Sequence, residues 1–220
     1  IFRMYAARRG QSRKRARPVA WGRLRISGRD GPVTNTSDVT VSVVIRAFTD
    51  ARRELMDSCI EAVLEQLRPG DQLVVTVDHN DEVLRRLEGK YGSRATIVAN
   101  SGPKGASGNC NNGIAASVGD VVAFVDDDAQ VQPGWLELHR EHYRDPEVMG
   151  VGGNARPVWP IERPTWFPEE FDWVVGCSHR GLPVVPAPAR NFMGCNMSFR
   201  RKALEDVGGF KSEVGSVGGT

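Results

Sequence analysis

The sequence predicts an α/β fold with a mostly parallel central sheet flanked by helices. Short runs rich in valine and isoleucine alternate with stretches in which apolar residues recur every three to four positions, which is the pattern of strands and amphipathic helices in turn. Parallel strands need a long crossover between them, and the intervening helices would supply it. Hydrophobic residues make up 40% of the chain and charged residues 25%, which is typical of a globular protein.

The first three predicted elements follow residue 40. VSVVIRAF (residues 41–48) predicts a buried strand. Apolar residues then recur at helical spacing from Met56 to Leu67, where Arg-Pro-Gly ends the pattern, so we expect a helix there. QLVVTV (residues 72–77) predicts the second strand.

The alternation continues to residue 125. A short second helix is predicted from four apolar residues at helical spacing, namely Val83, Leu84, Leu87 and Tyr91. ATIVA (95–99) predicts the third strand, and a helix of small residues over about 105–118 leads into the fourth strand, DVVAFV (120–125). In such sheets the ligand crevice lies at the carboxyl ends of the strands.

The pattern changes after the fourth strand. GWLELHREHYRD (134–145) predicts a helix, and VMGVGG (148–153) predicts a further strand. Prolines recur from Pro157 to Pro188 and predict a long loop that also carries tryptophans. A loop of this length inside a compact domain is usually functional.

Charge is distributed unevenly along the chain. Residues 1–32 contain ten of the 29 Lys and Arg residues and one of the 27 acidic residues, so the remainder is acidic overall. Clustered basic residues can bind phosphate backbones or anionic lipid, but the arm can also be explained as non-native sequence ahead of a natural start near Val33. We therefore expect a disordered or non-native arm over residues 1–38 and a single α/β domain over residues 39–220.

Cysteine and histidine positions give no strong signal for a zinc site. The four cysteines are far apart and form no C-x-x-C pair, which favours free thiols in a reducing cytoplasm. His139 and His142 are three residues apart on a predicted helix, a spacing that suits either a metal or a solvated helix face.

Three adjacent carboxylates, Asp126, Asp127 and Asp128, follow the fourth predicted strand. They repel one another unless a cation lies among them, and oxygen ligands suit Mg²⁺ or Mn²⁺ bound together with substrate phosphates. Alternation along an extended chain would turn Asp126 and Asp128 toward one ligand and Asp127 elsewhere. The alternative is a solvated acidic turn, because aspartate is common where strands end.

Other strand ends carry candidate ligand groups. Asp78 follows the second strand, where its carboxylate can accept a hydrogen bond from a nucleoside; the alternative is a turn or a helix cap. Phe48 follows the first strand, where its ring can stack on a base; the alternative is core packing. GPKGASGNCNNG (102–113) opens a helix whose free N–H groups could bind an anion, or it allows close packing on the sheet. It matches neither a dinucleotide fingerprint nor a P-loop.

Taken in order, these segments resemble a family 2 glycosyltransferase with the GT-A fold. The resemblance covers about residues 39–220 and rests on five segments: VSVVIRAFTD, VVTVDHND, GPKGASGNCNNGI, GDVVAFVDDDAQVQPGWL and NFMGCNMSFRRKALEDVGGF. It implies an inverting transfer of a sugar from a nucleotide-diphosphate donor, with a divalent cation, Mn²⁺ or Mg²⁺. The fourth segment contains the D-x-D motif of the family.

The resemblance also implies roles for donor-side residues. Asp126 corresponds to the ribose and metal contact, Asp128 to the metal ligand, and Asp127 to a supporting residue. Phe48 and Asp78 fall where relatives hold the base. In the glycine-asparagine segment, Gly105 and Asn111 are the expected donor contacts.

Acceptor-side residues follow from the same resemblance. Trp166, Trp173 and Asn196 lie in the expected acceptor region, and the acceptor would be a glycan, a lipid carrier or a small molecule. Relatives place the catalytic base in an acidic motif that we expect beyond Thr220. The implied location is the cytoplasm, with possible peripheral contact at the cytoplasmic face of a membrane.

The chain departs from the family pattern at three places. Arg46 and Thr49 stand in the first segment where relatives often have proline and asparagine, and Cys110 stands where they usually have arginine. Two other functions remain compatible with the residues. One is a nucleotidyltransferase, which would release pyrophosphate; the other is a non-catalytic protein that binds sugar nucleotides or nucleic acid.

Overall fold

The computed structural model describes residues 2–5, 39–183 and 185–211, with the backbone alone for the first range. Most of the predicted N-terminal arm, the possible start at Val33 and the chain after residue 211 lie outside the described residues. The described strands are β1 (Phe2–Tyr5), β2 (Val41–Ala47), β3 (Gln72–Val77), β4 (Thr96–Ala99), β5 (Val121–Asp126), β6 (Ala129–Val131), β7 (Gly150–Gly152), β8 (Asn154–Pro157) and β9 (Asn196–Arg200).

Helices separate most of these strands. The α-helices are α1 (Arg53–Leu64), α2 (Asp81–Tyr91), α3 (Ala106–Ala116), α4 (Trp135–His142) and α5 (Arg201–Val207). Two 3-10 helices span Asp50–Arg52 and Glu169–Val175. Among the described residues, no helix has the length and apolar character needed to cross a bilayer.

The main sheet has six strands in the order β4-β3-β2-β5-β9-β7. Strands β2 to β5 are parallel, and each reaches its neighbour through a helix, as the alternating pattern predicts. Strand β9 is antiparallel to both β5 and β7. The predicted α/β fold with a mostly parallel sheet is therefore confirmed, and β1 joins β6 and β8 in a smaller second sheet.

The sheet is covered on both faces because successive strand residues point to opposite sides. Val43 and Ile45 of β2 pack with residues of α1, α2 and α4, whereas Val44 packs on the other face with residues of α3 and α5. On that second face α3 lies very close to the sheet. A Cβ at Gly113 would lie 2.4 Å from Val44 Cγ1, so only glycine fits there.

The amino-terminal end of the parallel strands is held by a group of side chains that we call the amino-end network, comprising Thr40, Ser42, Asp71, Asp120 and Arg140. The Ser42 hydroxyl accepts from Gly119 N at 2.9 Å and donates to Gln72 Oε1 at 2.8 Å. Asp120 accepts from Thr40, and buried Asp71 accepts from Val41 N and from Arg140. These bonds connect β2, β3, β5 and α4 at one end of the sheet.

Some features differ from the sequence prediction. The short strand β8 ends at the first proline of the predicted loop, and the 3-10 helix Glu169–Val175 lies within that loop. Neither element was predicted, because their few residues show no clear periodicity. Of the two alternatives for His139 and His142, the solvated face is wrong for His139, which is 1% exposed and bonds Asn196 and Ser198 of β9. All four cysteines are buried free thiols.

Candidate active site

The carboxyl ends of four parallel strands meet at one edge of the sheet, which we call the carboxyl edge. The chain leaves β2 at Phe48, β3 at Asp78 and β4 at Asn100, and β5 ends in Asp126. Backbone bonds continue the strand ladder to this edge, from Asp78 N to Ala47 O and from Asn100 N to Val77 O, at 2.9 and 2.8 Å. The topology therefore gathers the predicted strand-end residues in one place.

Two arginines pair with the three aspartates. Arg46 lies directly opposite Asp126 in the β2–β5 register and donates through Nη2 to Asp126 Oδ1. Arg52, at the end of the first 3-10 helix, donates through Nη2 to Asp127 Oδ1 at 2.9 Å and through Nη1 to Asp128 Oδ2. The cations that face the carboxylates in this structure are thus guanidinium groups.

The predicted alternation of the three aspartates does not continue past Asp126, while convergence of Asp126 and Asp128 on one ligand stays a prediction. Asp127 and Asp128 share Arg52, and Asp126 has a different partner. Strand β5 ends at Asp126, and the next two residues form a turn into β6, so the two-residue period of an extended chain no longer applies.

Asp127 is the most buried of the three carboxylates, with a side chain that is 4% exposed. Burial raises the pKa of Asp127 to about 6; the charge of Arg52 opposes that rise, and the charges of Asp128 and Asp126 add to it. Its Oδ2 atom is buried and makes no hydrogen bond. The cluster therefore retains negative charge that the two arginines do not satisfy.

The aspartates fit a divalent cation of the kind that shares its coordination with substrate. The ligand atoms are all carboxylate oxygens, which suit Mg²⁺ and Mn²⁺, and one of them has no partner. Within the described ranges, no three His, Cys, Asp or Glu side chains surround a single point as a complete metal site would require. Magnesium commonly binds through one or two carboxylates plus substrate phosphates, which this arrangement permits.

Asp78 connects the ends of β3 and β4 to the start of α3. It is 5% exposed, and it accepts from Asn100 Nδ2 at 2.7 Å and from Gly105 N at 3.0 Å. Gly105 is the N-cap of α3 and has a φ of +117°, a conformation that favours glycine. Asp78 and Gly105, both predicted as site residues, are therefore in direct contact.

Phe48 lies at the mouth of the carboxyl edge with 44% of its surface exposed. The Lys104 ammonium is 5.6 Å from the centre of its ring, which is within cation–π range. Asn80 donates to the Phe48 carbonyl at 3.2 Å and also caps α2. The ring is thus exposed on a backbone that is held in place.

Asn111, a predicted donor contact, bonds to the backbone of Phe210 in this structure. Its Nδ2 donates to Phe210 O and its Oδ1 accepts from Phe210 N, both at 2.8 Å. A Cβ at Gly209 would lie 2.5 Å from Asn111 Oδ1, so the two segments are in close contact. The amide of Asn111 joins α3 to the segment after α5.

Asn196, a predicted acceptor-side residue, is completely buried at the start of β9. Its Oδ1 accepts from Trp135 Nε1 at 2.9 Å and from His139 Nε2 at 3.0 Å, while its Nδ2 donates to Asn154 O at 3.1 Å. His139 Nδ1 then accepts from the Ser198 hydroxyl at 2.8 Å. Burial lowers the pKa of His139 to about 4, so the ring is neutral in this network.

The predicted acceptor tryptophans lie on the surface. Trp166 is 79% exposed and Trp173 is 57% exposed, and neither lines the large cleft nearby. That cleft, about 1480 Å³, lies between α4, the β7–β8 region and the second 3-10 helix. Trp159 does line it, and its buried Nε1 makes no hydrogen bond.

Besides Arg46, three residues of the carboxyl edge were absent from the predicted site. Arg52 contacts two of the aspartates, Asn100 holds Asp78, and Lys104 lies over Phe48. Each lies within five residues of a strand end or of another predicted site residue. A search for every polar residue just beyond the parallel strands would have found them.

Comparison with known proteins gives a consistent result. The family described as "Glycosyl transferase family 2" matches residues 42–208. A glucosyl-dolichyl phosphate glucuronosyltransferase from Haloferax volcanii is 36% identical over 181 residues, which cover 81% of this chain and 58% of the relative. A pre-mycofactocin glycosyltransferase from Mycobacterium tuberculosis is 29% identical over 81% of this chain and 37% of the relative.

A solved structure gives the same fold. The mannosyltransferase PcManGT from Pyrobaculum calidifontis, in complex with GDP-Man and Mn²⁺, aligns with a TM-score of 0.59 and 22% identity, over 83% of this chain and 50% of that chain. The present chain therefore spans between about a third and three fifths of the length of these relatives.

Proposed function

The chain belongs to glycosyltransferase family 2, and we propose that it takes part in moving a sugar from a nucleotide-diphosphate donor to an acceptor hydroxyl, with inversion and with a divalent cation. The observation that carries the proposal is the position of Asp126, Asp127 and Asp128 at the carboxyl end of β5. This end faces the crevice in which ligands of open α/β sheets bind. Similarity to proteins with GDP-Man and other sugar substrates supports the donor class.

The proposed cation is Mn²⁺ or Mg²⁺, held by Asp128 and Asp126 together with the donor's phosphates. The cation neutralises negative charge on the departing nucleoside diphosphate. Asp127 supports the site through its buried, unpartnered Oδ2. Arg46 keeps Asp126 at the edge of the sheet, because the β2–β5 register fixes both residues.

The proposed nucleotide position lies between Phe48 and the start of α3. The exposed ring of Phe48 offers a flat surface for a base, and Lys104 adds a positive charge beside it. Asp78 holds Gly105 and thereby fixes the first turn of α3, whose free N–H groups favour anions. Asn111 acts at a distance, by holding α3 through Phe210.

The proposed acceptor enters from the side of β9 and β7, at the cytoplasmic face of a membrane. A lipid carrier is the acceptor class that the name of the Haloferax relative favours. Trp159 on the wall of the large cleft offers an apolar surface to a sugar ring. We place Trp166 and Trp173 at the outer rim of this acceptor region. No described residue is assigned as the base.

Calorimetry with the full-length protein tests this proposal. GDP and UDP are titrated with MnCl₂ and with EDTA, and turnover of the matching sugar nucleotides is followed by release of the nucleoside diphosphate. We expect binding and turnover that EDTA abolishes. Binding of neither nucleotide in the presence of Mn²⁺ or Mg²⁺ would refute the proposal, and release of pyrophosphate would indicate a nucleotidyltransferase.

A further inference from the structure

Arg46 and Arg52 contact the aspartates in different ways. Arg46 belongs to β2, its side chain is 16% exposed, and it also approaches Gly194 O at 3.4 Å. Arg52 lies outside the sheet on a short 3-10 helix, and 42% of its side chain is exposed. Arg46 is therefore a fixed counter-charge, whereas Arg52 can leave its partners by rotation of its own side chain.

Arg52 binds the carboxylate of Asp128, which the proposed cation would also bind. Its two terminal nitrogens contact Asp127 Oδ1 and Asp128 Oδ2 separately, so one guanidinium bridges two carboxylates. Those carboxylates are almost closed to solvent, at 4% and 12% exposure, while the guanidinium that bridges them is open to it. A cation at Asp128 would meet the positive charge of Arg52 at contact distance.

Charge balance favours movement of Arg52 when a cation arrives. Three carboxylates and two guanidinium groups leave one net negative charge when all are ionised. A divalent ion reverses that sign, so the two neighbouring cations repel each other, and the donor diphosphate brings the negative charge that a displaced guanidinium can pair with. Arginine suits both partners because its planar fork matches carboxylate and phosphate geometry.

We infer that Arg52 is an exchangeable counter-cation of the aspartate cluster. It bridges Asp127 and Asp128 while no divalent ion is present, releases Asp128 to the ion, and then pairs with the diphosphate of the donor. This inference rests on the proposed function. It makes Arg52 a competitor of the metal and a ligand of the nucleotide, so its removal should change the two affinities in opposite directions.

The test measures both affinities in the full-length protein. In Arg52→Ala we expect Mn²⁺ alone, measured by calorimetry and by the electron paramagnetic resonance of free Mn²⁺, to bind about three- to tenfold more tightly. With saturating Mn²⁺, GDP and UDP should bind about tenfold more weakly. Arg52→Lys should lie between, because an ammonium lacks the fork that bridges two carboxylates.

Arg53→Ala is the matched control. Arg53 is the next residue, is also exposed, and pairs with Asp50 at 2.9 Å. Its removal causes the same change in net charge without touching Asp127 or Asp128, so both affinities should stay within twofold of the unaltered protein. If Arg53→Ala binds Mn²⁺ more tightly to a similar degree, the tighter binding in Arg52→Ala results from the change in net charge alone, and the inference is overturned.

A stability measurement shows whether Arg52→Ala folds poorly. Arg52→Ala should melt at a lower temperature than the unaltered protein in EDTA, because its carboxylates lose their counter-charge, and it should gain more from added Mn²⁺. Equal Mn²⁺ affinity and an equal Mn²⁺ gain in melting temperature would refute the exchange while leaving the proposed function intact. Absence of Mn²⁺ and nucleotide binding in the unaltered protein would refute both.

Discussion

The two sides of β5 use their polar residues differently. Toward β2, the aspartates and their arginines are charged and partly open, with Arg52 42% and Asp126 33% exposed in their side chains. Toward β9, Asn196, Ser198 and His139 are neutral or uncharged and sealed from solvent. Both groups lie at or near the same strand, so position along the sheet alone does not make a residue functional.

The difference follows from what covers each strand. Asp127 and Asp128 lie just beyond the end of β5. Among the described side chains, Arg52 is the one that bonds their carboxylates. Strand β9 is bordered by β5 and β7 and covered by α4, so a polar side chain there must find its partners inside the protein. Charged side chains thus lie at the end of β5, where their partners can be exchanged, and neutral polar side chains lie along β9, where their partners are fixed by packing.

The largest expected effect comes from Asp128→Ala in the full-length protein. Loss of a carboxylate that the proposed cation needs should reduce Mn²⁺-dependent release of nucleoside diphosphate about a thousandfold. Asp206→Ala is the control, because Asp206 is exposed and pairs only with Lys202 among the contacts described. Turnover within a fewfold of normal in Asp128→Ala would remove Asp128 from the site and break the contrast between the two sides of β5.

Asn196→Ala tests the buried polar network on the β9 side of β5. The indole N–H of Trp135 and the ring N–H of His139 would lose their common acceptor in the interior, which should lower the free energy of unfolding by about 3 kcal/mol. Urea denaturation measures the change, and exposed Asn191→Ala should leave stability unaltered. Normal stability with a raised acceptor KM would instead return Asn196 to the acceptor site.

The pH dependence of stability tests the same network. Burial lowers the pKa of His139 in the folded protein to about 4, against an ordinary 6.5. Its ring bonds Asn196 and Ser198, Ser198 in turn bonds Tyr143, and the charge of His142 lowers the pKa further. The unfolded chain therefore binds the proton more readily, and stability falls as the pH drops from 6.5 toward 4. Between pH 7.5 and pH 5 this residue should account for a loss of about 2 kcal/mol.

Urea unfolding at several pH values separates this contribution from the others. His139→Gln should be less stable at pH 7.5 but show a flatter profile down to pH 5. His142→Gln, which keeps the buried ring, should retain the steep profile. Parallel profiles for the unaltered protein and His139→Gln would contradict a neutral, buried His139.

The smallest expected effect belongs to Phe48→Ala. Removal of a stacking surface should weaken GDP and UDP binding about tenfold, measured by calorimetry with Mn²⁺. Stability should hardly change, because the ring is 44% exposed. Trp166→Ala, which removes a more exposed aromatic residue outside the carboxyl edge, should leave nucleotide affinity unaltered. Equal losses in both variants would show that Phe48 has no specific role.

Much of the fold could be predicted from the sequence, because the order of the first four strands follows from periodicity. Strand β3 has the predicted bounds, β2 and β4 differ from theirs by one residue at one end, and β5 is shifted by one residue at both ends. The same patterns placed Phe48, Asp78 and Asp126 at strand ends. Those positions depend on local sequence alone.

Partners could not be predicted in the same way. Arg52 reaches aspartates more than seventy positions away, and Asn111 bonds a backbone 99 residues later. Asn196 belongs to a motif that pointed to the acceptor, yet its three partners come from α4 and β8. A sequence pattern gives the element on which a side chain lies, while tertiary packing decides what that side chain meets.

The amino-end network has a consequence for how the molecule opens. Hydroxyl and carboxylate groups join β2, β3, β5 and α4 at that end, and they accept the amide protons of Val41 and Gly119. These two amide protons should therefore exchange with deuterated solvent only through global unfolding. At the opposite end, the exposed residues Ala51 and Arg52 of the first 3-10 helix should exchange through small local openings. We therefore expect local opening at the carboxyl edge of the sheet, whereas the amino-terminal end opens only when the whole domain unfolds.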